Sequence, residues 1–553
     1  MNFNILINYY KLIISLSILF LVSLTFFLFH DFIIARHADF ALAKAMTSDG
    51  PKQSQRLLEM LNRNSTEPMG FYNYGNVHHF ISFYFAKFLL LIGLTKTYTL
   101  AAFSLVFIQW ISVILIFYLS YKILRFFNIS EISSLFISIF SFTISPIMFY
   151  YSRAIHPDIV QLPFLLLIIY LLLKPNIYRI FGSSVLAGLA AGTKYIGILY
   201  AIPIITSFIF ILDFSKFNNF FYNFRYHTLF LLYASGALLL FIFGFLIFNW
   251  TIPIYFETFL SDLIYESQHV SRGDGYAASE NFFLWLPIFK GEYFYLWLMP
   301  IIMPLIYFML KGKSINNSNL TYSTFPIMIG LFLLSVLIII HLFFAVNMRV
   351  PRYTFHYYPI IIFSLAYFSY YLKIRFGNYI VTIFAIIIFS ISLNPLRNSF
   401  NELLIDINYS KNGEKVLIGE ALATSCNTDT SFIVPMYSYM PEIFNNRLSG
   451  YVFTDSEIKN SEVLVLNGSI PGRFIWQSPQ EQLDRLKPYK GDHLDQADDQ
   501  YLNFLQVFQE MSHKIVYFSG DTLIAFSDGA DCNIKTFKEH VNQKNQSLLK
   551  YLR

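Results

Sequence analysis

The strongest constraint on this chain is a succession of long apolar blocks with short polar gaps, running from residue 11 to residue 395. A membrane helix needs about 20 apolar residues, because lipid offers its backbone no hydrogen-bond partners. Candidate spans fall at roughly 11–29, 100–124, 132–150, 158–173, 180–194, 196–213, 227–249, 293–310, 325–346, 353–372 and 378–395. Composition agrees: the chain is 56% hydrophobic and 13% charged, where a soluble chain carries about 25% charge. Residues 396–553 read as ordinary soluble protein. Residues 11–29 are not followed by a small-x-small cleavage pattern, so they read as a first membrane helix and not as a removed signal. The net charge of +5 comes without a basic run, which argues against nucleic acid as a partner. Of the 62 Phe and 39 Tyr, the Phe read as lipid-facing filler and the Tyr near segment ends as interfacial belts.

Charge asymmetry orients the spans. One further segment, 76–93, is apolar but carries His78, His79 and Lys87. If it lies along the outer surface, five short connections on one side each hold a basic pair. These are Lys122 with Arg125, Lys174 with Arg179, Lys216 with Arg225, Lys311 with Lys313, and Lys373 with Arg375. Basic residues collect on the cytoplasmic side, so this choice puts the N-terminus inside and the soluble tail outside. If 76–93 spanned, every pair would face outward. The segment therefore reads as an interfacial, partly amphipathic helix. The outward connections are then 30–99, 151–157, 195, 250–292 and 347–352. The long loops 30–99 and 250–292 share a side with the tail, and chemistry is expected there.

The expected architecture is an α-helical polytopic membrane protein of about eleven transmembrane helices plus an interfacial helix, over residues 1–395. A soluble α/β domain at 396–553 follows. In it KVLIGEAL, SFIVPMYS, EVLVLNGS and KIVYFSGDTLIAFS read as strands, and 479–512 as a polar helical stretch with loops. Both cysteines, Cys426 and Cys532, lie in this tail. They read either as a disulfide in an oxidising compartment or as two unrelated buried thiols.

Several polar residues stand at the outward ends of spans. Asp39, in the stretch FIIARHADFALA, sits where desolvation raises a carboxylate's basicity, though an Asp there also suits a helix N-cap. Its neighbours His30, Asp31 and His37 show no metal spacing. Asp158, after Arg153, His156 and Pro157, is either a second carboxylate facing the same site or a residue suited to the helix dipole. In GLAAGTKYIG the small residues allow close helix packing, and Lys194 arrives where a cation can meet a lipid phosphate or simply snorkel. Glu266, His269 and Arg272 recur at about one-turn spacing, either on a functional helix face or on a solvated loop helix ended by Gly273 and Gly275. In NMRVPRYTFHYYP, Arg349 and Arg352 place positive charge on the outward side, against the asymmetry rule. Binding a phosphate is one reason for that and interfacial anchoring another. The chain has no P-loop, dinucleotide fingerprint, HExxH or GxSxG.

Taken in order, HADFALA, YNYGNVHHFISFYFAKFLLLIG, SRAIHPDI, GLAAGTKYIG, DLIYESQHVSRGDGY and RYTFHYYP make residues 11–395 resemble the GT-C glycosyltransferases. The likeness is to the branch that uses lipid-phosphate sugars, which includes protein O-mannosyltransferases and lipid A aminoarabinose transferases. The resemblance implies a polyprenyl-phosphate sugar donor and a lipid, glycan or protein acceptor, with catalysis at the outer membrane face. Asp39 would act as general base on the acceptor hydroxyl, with inversion at the sugar. Asp158 would supply the second acidic position, Lys194, Arg349 and Arg352 would hold the donor phosphate, and Glu266, His269, Arg272 and Tyr353 would line the loop side of the site. No cofactor is required, and a divalent metal, though compatible with the chemistry, is not expected. The setting expected is a bacterial inner membrane.

The chain departs from that pattern in two places. Asp39 stands between Ala38 and Phe40 where many relatives carry Asp-Glu, and Tyr74-Gly75-Asn76 replaces the usual Pro-Pro. The competing readings are a transporter or lipid-linked sugar flippase, a non-enzymatic sensor using the tail, and a transferase of whole oligosaccharides. Transporters favour internal repeats and midplane charge, whereas here the charges sit at helix ends on one side.

Overall fold

The computed structural model describes residues 50–67, 72, 74–152, 154–211, 224–272, 281–311, 318–346, 351–412, 414–435, 440, 443–444, 447–450, 460–467, 514–519 and 522–551. The first expected span, 11–29, lies outside the described residues, as does the stretch 479–512. The chain divides into two compact units. The larger holds Arg56–Lys96 and Ser104–Asn401; the smaller holds Glu402–Arg553 with Thr97–Phe103 and the described residues up to Gln55.

The helices run in chain order as α1 (Gly50–Arg63), α2 (Val77–Leu91), α3 (Tyr98–Phe126), α4 (Glu131–Thr143), α5 (Pro146–Tyr151), α6 (Asp158–Leu172), α7 (Ile177–Ala191), α8 (Ala201–Ile211), α9 (Phe224–Leu246), α10 (Phe256–Arg272), α11 (Asn281–Tyr293), α12 (Met299–Lys311), α13 (Ser318–Ala345), α14 (Tyr358–Phe376) and α15 (Asn378–Asn412). Among the described residues, three short 3₁₀ turns, Tyr195–Tyr200, Leu296–Leu298 and Pro351–Tyr357, interrupt them. Among the described residues, the stretches Tyr98–Phe126, Thr324–Phe344 and Asn378–Ser399 are long and apolar enough to cross a membrane alone. Trp285–Tyr293 with Leu296–Met309 forms a fourth candidate, bent by 106°. Large apolar side chains stay on the outside of the larger unit, including Leu231, Leu238 and Phe243 on α9, Phe308 and Met309 on α12, and Phe344 on α13. Such a surface needs lipid around it. The chain is an integral membrane protein.

The helix interruptions differ from the expected spans. The stretch 132–150 is two helices, because Ser145 caps α5 and Pro146 occupies its first turn, where a missing N–H costs nothing. Within the stretch expected as an outward loop, 250–292, residues 256–272 and 281–293 are helical, and Trp285 and Phe289 of α11 are fully buried in the large apolar core. The α7–α9 crossing is close because Gly188 and Gly244 present no side chain: a Cβ on Gly188 would stand 2.1 Å from the Phe241 carbonyl oxygen, and one on Gly244 2.3 Å from that of Val185.

The smaller unit carries a five-stranded sheet in the order β2 (Arg447–Gly450), β1 (Phe432–Pro435), β3 (Val463–Asn467), β5 (Thr522–Phe526), β4 (Lys514–Ser519). Strand β1 runs parallel to both β2 and β3, with Phe432 opposite Arg447 and Val463, while the β4–β5 hairpin runs antiparallel to its neighbours. Helices α16 (Glu414–Ser425) and α17 (Ile534–Tyr551) cover it with a core that includes Leu417, Leu422, Phe432, Val463, Phe526 and Phe537. The stretch KVLIGEAL, expected as a strand, lies in α16. Leu417, Ile418, Ala421 and Leu422 are all buried, and their spacing places them on one helical face. Cys426 and Cys532 form a disulfide that ties the end of α16 to the segment entering α17.

Candidate functional site

The site is assembled where helices of the larger unit stop. Asp158 opens α6 just after Pro157, and its side chain has no exposed surface. A carboxylate in a first helical turn is favoured by the helix dipole, but burial on this scale demands cationic partners. It has two. Lys194 Nζ lies 2.6 Å from Oδ1, and His156 Nδ1 lies 3.0 Å from Oδ2. Neither oxygen accepts a hydrogen bond from any other described group.

Lys194 reaches Asp158 because α7 ends at Ala191 and the chain turns through Gly192 and Thr193 into the 3₁₀ turn Tyr195–Tyr200. Lys194 itself is extended, with φ −152° and ψ 132°. The buried amide of Gln161 holds this turn, donating to the carbonyl oxygens of Ala190 and Lys194, both at 2.7 Å. On the other side, Gly75 runs so close that a Cβ there would sit 1.8 Å from the Gly192 oxygen. That oxygen accepts from Asn249 Nδ2 at 3.0 Å, and Asn249 Oδ1 accepts from the Asn76 N–H at 2.8 Å. The departure Tyr74-Gly75-Asn76 therefore has a physical role: glycine permits the contact and asparagine fastens it. The ammonium stands 5.9 Å from the ring centre of Tyr74 and 5.2 Å from that of Tyr353, within cation–π range.

His156 is likewise buried, with the rings of Tyr74 and Tyr151 packed edge-on at 5.4 and 5.3 Å. The Gln109 side-chain amide shapes the loop before it, donating to the carbonyl oxygens of Tyr151, Ala154 and His156 at 3.3, 2.8 and 2.9 Å. His156 Nε2 meets Arg352 Nη1 at 3.2 Å. Burial pushes the His156 imidazole pKa down, against the pull of Asp158. Arg352 stands in the 3₁₀ turn Pro351–Tyr357, with its guanidinium 5.6 Å from the Tyr353 ring centre. Tyr293 fixes that turn by donating to the Thr354 oxygen at 2.9 Å. Below it, Tyr200 Oη and His356 Nδ1 are 2.7 Å apart.

Four side chains from three helix interruptions thus form one chain of contacts, Lys194–Asp158–His156–Arg352. Two cations face one carboxylate. Cationic groups held in this way beside a buried carboxylate suit the binding of a small anion.

Of the residues singled out from sequence, Asp158, Lys194, Arg352 and Tyr353 come together here. Asp39 and Arg349 lie outside the described residues. Glu266, His269 and Arg272 fall on α10, with their side chains outside the described atoms. The same helix is anchored near the Lys194 turn: Asp262 Oδ2 accepts from the Tyr72 N–H at 2.6 Å, and Phe259 packs edge-on against Tyr195 at 5.4 Å. Sequence reasoning passed over Gln109, Gln161, Tyr74 and the bridging role of His156. A signal existed for the glutamines, since each is an amide inside an apolar helix, and Gln161 stands one turn from Asp158.

The fold is shared with solved structures of ArnT from Cupriavidus metallidurans. The structure bound to undecaprenyl phosphate aligns with a TM-score of 0.51 at 11% identity, covering 92% of this chain and 98% of that one. The structure in the apo state aligns with a TM-score of 0.52 at 10% identity and the same coverage. No family model matches this chain, and no curated protein matches it in sequence.

Proposed function

We propose that the protein is a membrane glycosyltransferase that moves a sugar from a polyprenyl-phosphate donor to a hydroxyl of a lipid, glycan or protein acceptor on the extracytoplasmic face of a bacterial inner membrane. The observation that carries this reading is the Lys194–Asp158–His156–Arg352 cluster, in which Asp158 and His156 are buried and the two cations are partly exposed, on a fold shared with a protein solved with undecaprenyl phosphate. A phosphodiester brings one negative charge, which the two cations can meet. In the reaction, the acceptor oxygen bonds to the anomeric carbon as the carbon–oxygen bond to phosphate breaks. The lipid phosphate leaves with the electron pair, and the acceptor proton passes to Asp39 as general base. Attack opposite the leaving group inverts the anomeric centre. Lys194 and Arg352 stabilise the charge that grows on the departing phosphate, and Asp158 orients Lys194. Arg349 joins the phosphate site, while Glu266, His269 and Arg272 on α10 close over the donor with Tyr353.

The Cys426–Cys532 bridge supports an extracytoplasmic tail, since disulfides persist in oxidising compartments. The test is transfer from a radiolabelled polyprenyl-phosphate sugar in membranes. Asp39→Asn should abolish product while leaving the amount of folded protein unchanged, and full transfer by that variant would remove the base assignment. A flippase would instead translocate the labelled lipid without consuming it, and intact donor recovered on the opposite leaflet would favour that reading.

A further inference from the structure

Among the four contacting groups, only His156 is given no role in the reaction proposed above, yet it stands between Asp158 and Arg352. Its hydrogen-bond pattern is determined by its partners. A guanidinium can only donate, so Nε2, 3.2 Å from Arg352 Nη1, must present its lone pair. Nδ1 then carries the single proton and faces Asp158 Oδ2 at 3.0 Å, a closer contact than the Asp158 backbone N–H, which stands 3.4 Å from the same nitrogen. The imidazole is therefore neutral and fixed in one tautomer. Ring rotation is blocked by the edge-on Tyr74 and Tyr151 and by burial, with the side chain 1% exposed.

We infer that His156 is a positioning residue: a neutral bridge that holds the Arg352 guanidinium in place for the donor phosphate by accepting its hydrogen bond at Nε2 while anchored to Asp158 at Nδ1. The inference rests on the proposed lipid-phosphate site and deepens it. Arg352 is a long side chain on a 3₁₀ turn, with its guanidinium also beside the Tyr353 ring and the Tyr151 hydroxyl, and fixing it in advance removes rotamer freedom that phosphate binding would have to quench. A proton on Nε2 would turn the bridge into two opposed donors of like charge and release the guanidinium. The other polar and charged groups around the ring are Asp158, Lys194, Tyr74, Tyr151 and, on α2, His78.

Two substitutions separate the halves of the bridge. His156→Gln places an amide oxygen near the position of Nε2 and can still accept from Arg352. His156→Asn reaches only as far as Nδ1, so it can donate to Asp158 but leaves Arg352 without that acceptor. The probe is the methyl ester of undecaprenyl phosphate, a phosphodiester with no titration between pH 5 and pH 8, and its binding to the detergent-purified full chain is measured at pH 7.5. The expected result is that His156→Asn weakens binding about tenfold, the scale of one charge-assisted hydrogen bond, while His156→Gln stays within about threefold of the unsubstituted protein. Equal affinity in all three proteins, or equal losses in both variants, would overturn the bridge alone. No binding of the probe to the unsubstituted protein would overturn the lipid-phosphate reading itself. If His156→Asn does not fold, His156→Leu replaces it as the variant without an acceptor for Arg352, and affinity equal to that of His156→Gln would overturn the bridge.

Discussion

Replacing Lys194 by methionine preserves most of the side-chain volume and removes the cation 2.6 Å from a carboxylate with no exposed surface. At an effective dielectric of about 20, two unit charges at that separation attract by about 6 kcal/mol. Desolvating the pair offsets part of this, but the methionine variant keeps the desolvated carboxylate without its nearest cation. The expected loss of stability is about 3–5 kcal/mol. Asp158→Asn should cost less, about 1–2 kcal/mol, because Lys194 keeps 12% of its side chain exposed and can turn toward water. The double variant leaves no unpaired charge and should lie within about 1 kcal/mol of the asparagine variant, which makes the coupling about 3 kcal/mol. Unfolding in mixed micelles of dodecylmaltoside and rising sodium dodecyl sulfate, followed by tryptophan fluorescence, measures all four corners of the cycle. A Lys194→Met loss below about 1 kcal/mol, or a double variant whose loss equals the sum of the singles, would refute the buried-pair argument.

Gly75→Ala must force a Cβ to within 1.8 Å of the Gly192 oxygen, so the Lys194 turn has to shift; a loss of about 3 kcal/mol or more, with probe binding reduced, is expected in the same unfolding and binding assays, and an unchanged protein would contradict the close approach. Cys426→Ser opens a bridge between residues 106 apart in sequence, and in the loop-entropy picture should lower the stability of the tail by about 2–5 kcal/mol, read as faster proteolysis of the tail; equal protease resistance would argue against the bridge's contribution. For pH, the folded-state pKa of His156 lies below its ordinary value of 6.5, so the unfolded chain takes the proton first as pH falls. The stability this group contributes is present above about pH 6.5 and is lost below it, and the thermal midpoint should fall more steeply between pH 7 and pH 5 than in His156→Gln; parallel curves would contradict this. Cysteine labelling with an impermeant reagent from outside the cell should fail at position 174 and succeed at position 347, and the reverse pattern would invert the proposed orientation.

The membrane nature of the chain was legible because apolar runs report burial in lipid directly. The turn at Lys194 was legible too, since Gly192 and a following cation interrupt an apolar stretch at one point. What failed were features decided by partners distant in sequence. The break at Ser145–Pro146 is secured by Glu292, whose carboxylate accepts from Ser145 Oγ at 3.0 Å and from the Ile147 N–H at 2.9 Å across 147 and 145 residues. His156 finds Arg352 across 196 residues, and no local pattern encodes that. Helix α11 falls in the stretch that reads as an outward loop from sequence, although Trp285 and Phe289 fill the core. In α16 a run of β-prone residues masked a helical face, which became visible only through the sheet it covers. In sequence, Tyr74-Gly75-Asn76 in place of Pro-Pro is a departure from the pattern the chain resembles; in the folded chain the glycine and asparagine secure the segment against Gly192 and Asn249.

The most direct test follows both products of one turnover. Membranes containing the protein are given a polyprenyl-phosphate sugar labelled in the sugar and, separately, in the lipid. Glycosyl transfer predicts that each sugar gained by an acceptor is matched by one free polyprenyl phosphate, and that Lys194→Met and Arg352→Ala depress both together. Donor that remains intact in the presence of the protein, or that changes leaflet without losing its sugar, would contradict it.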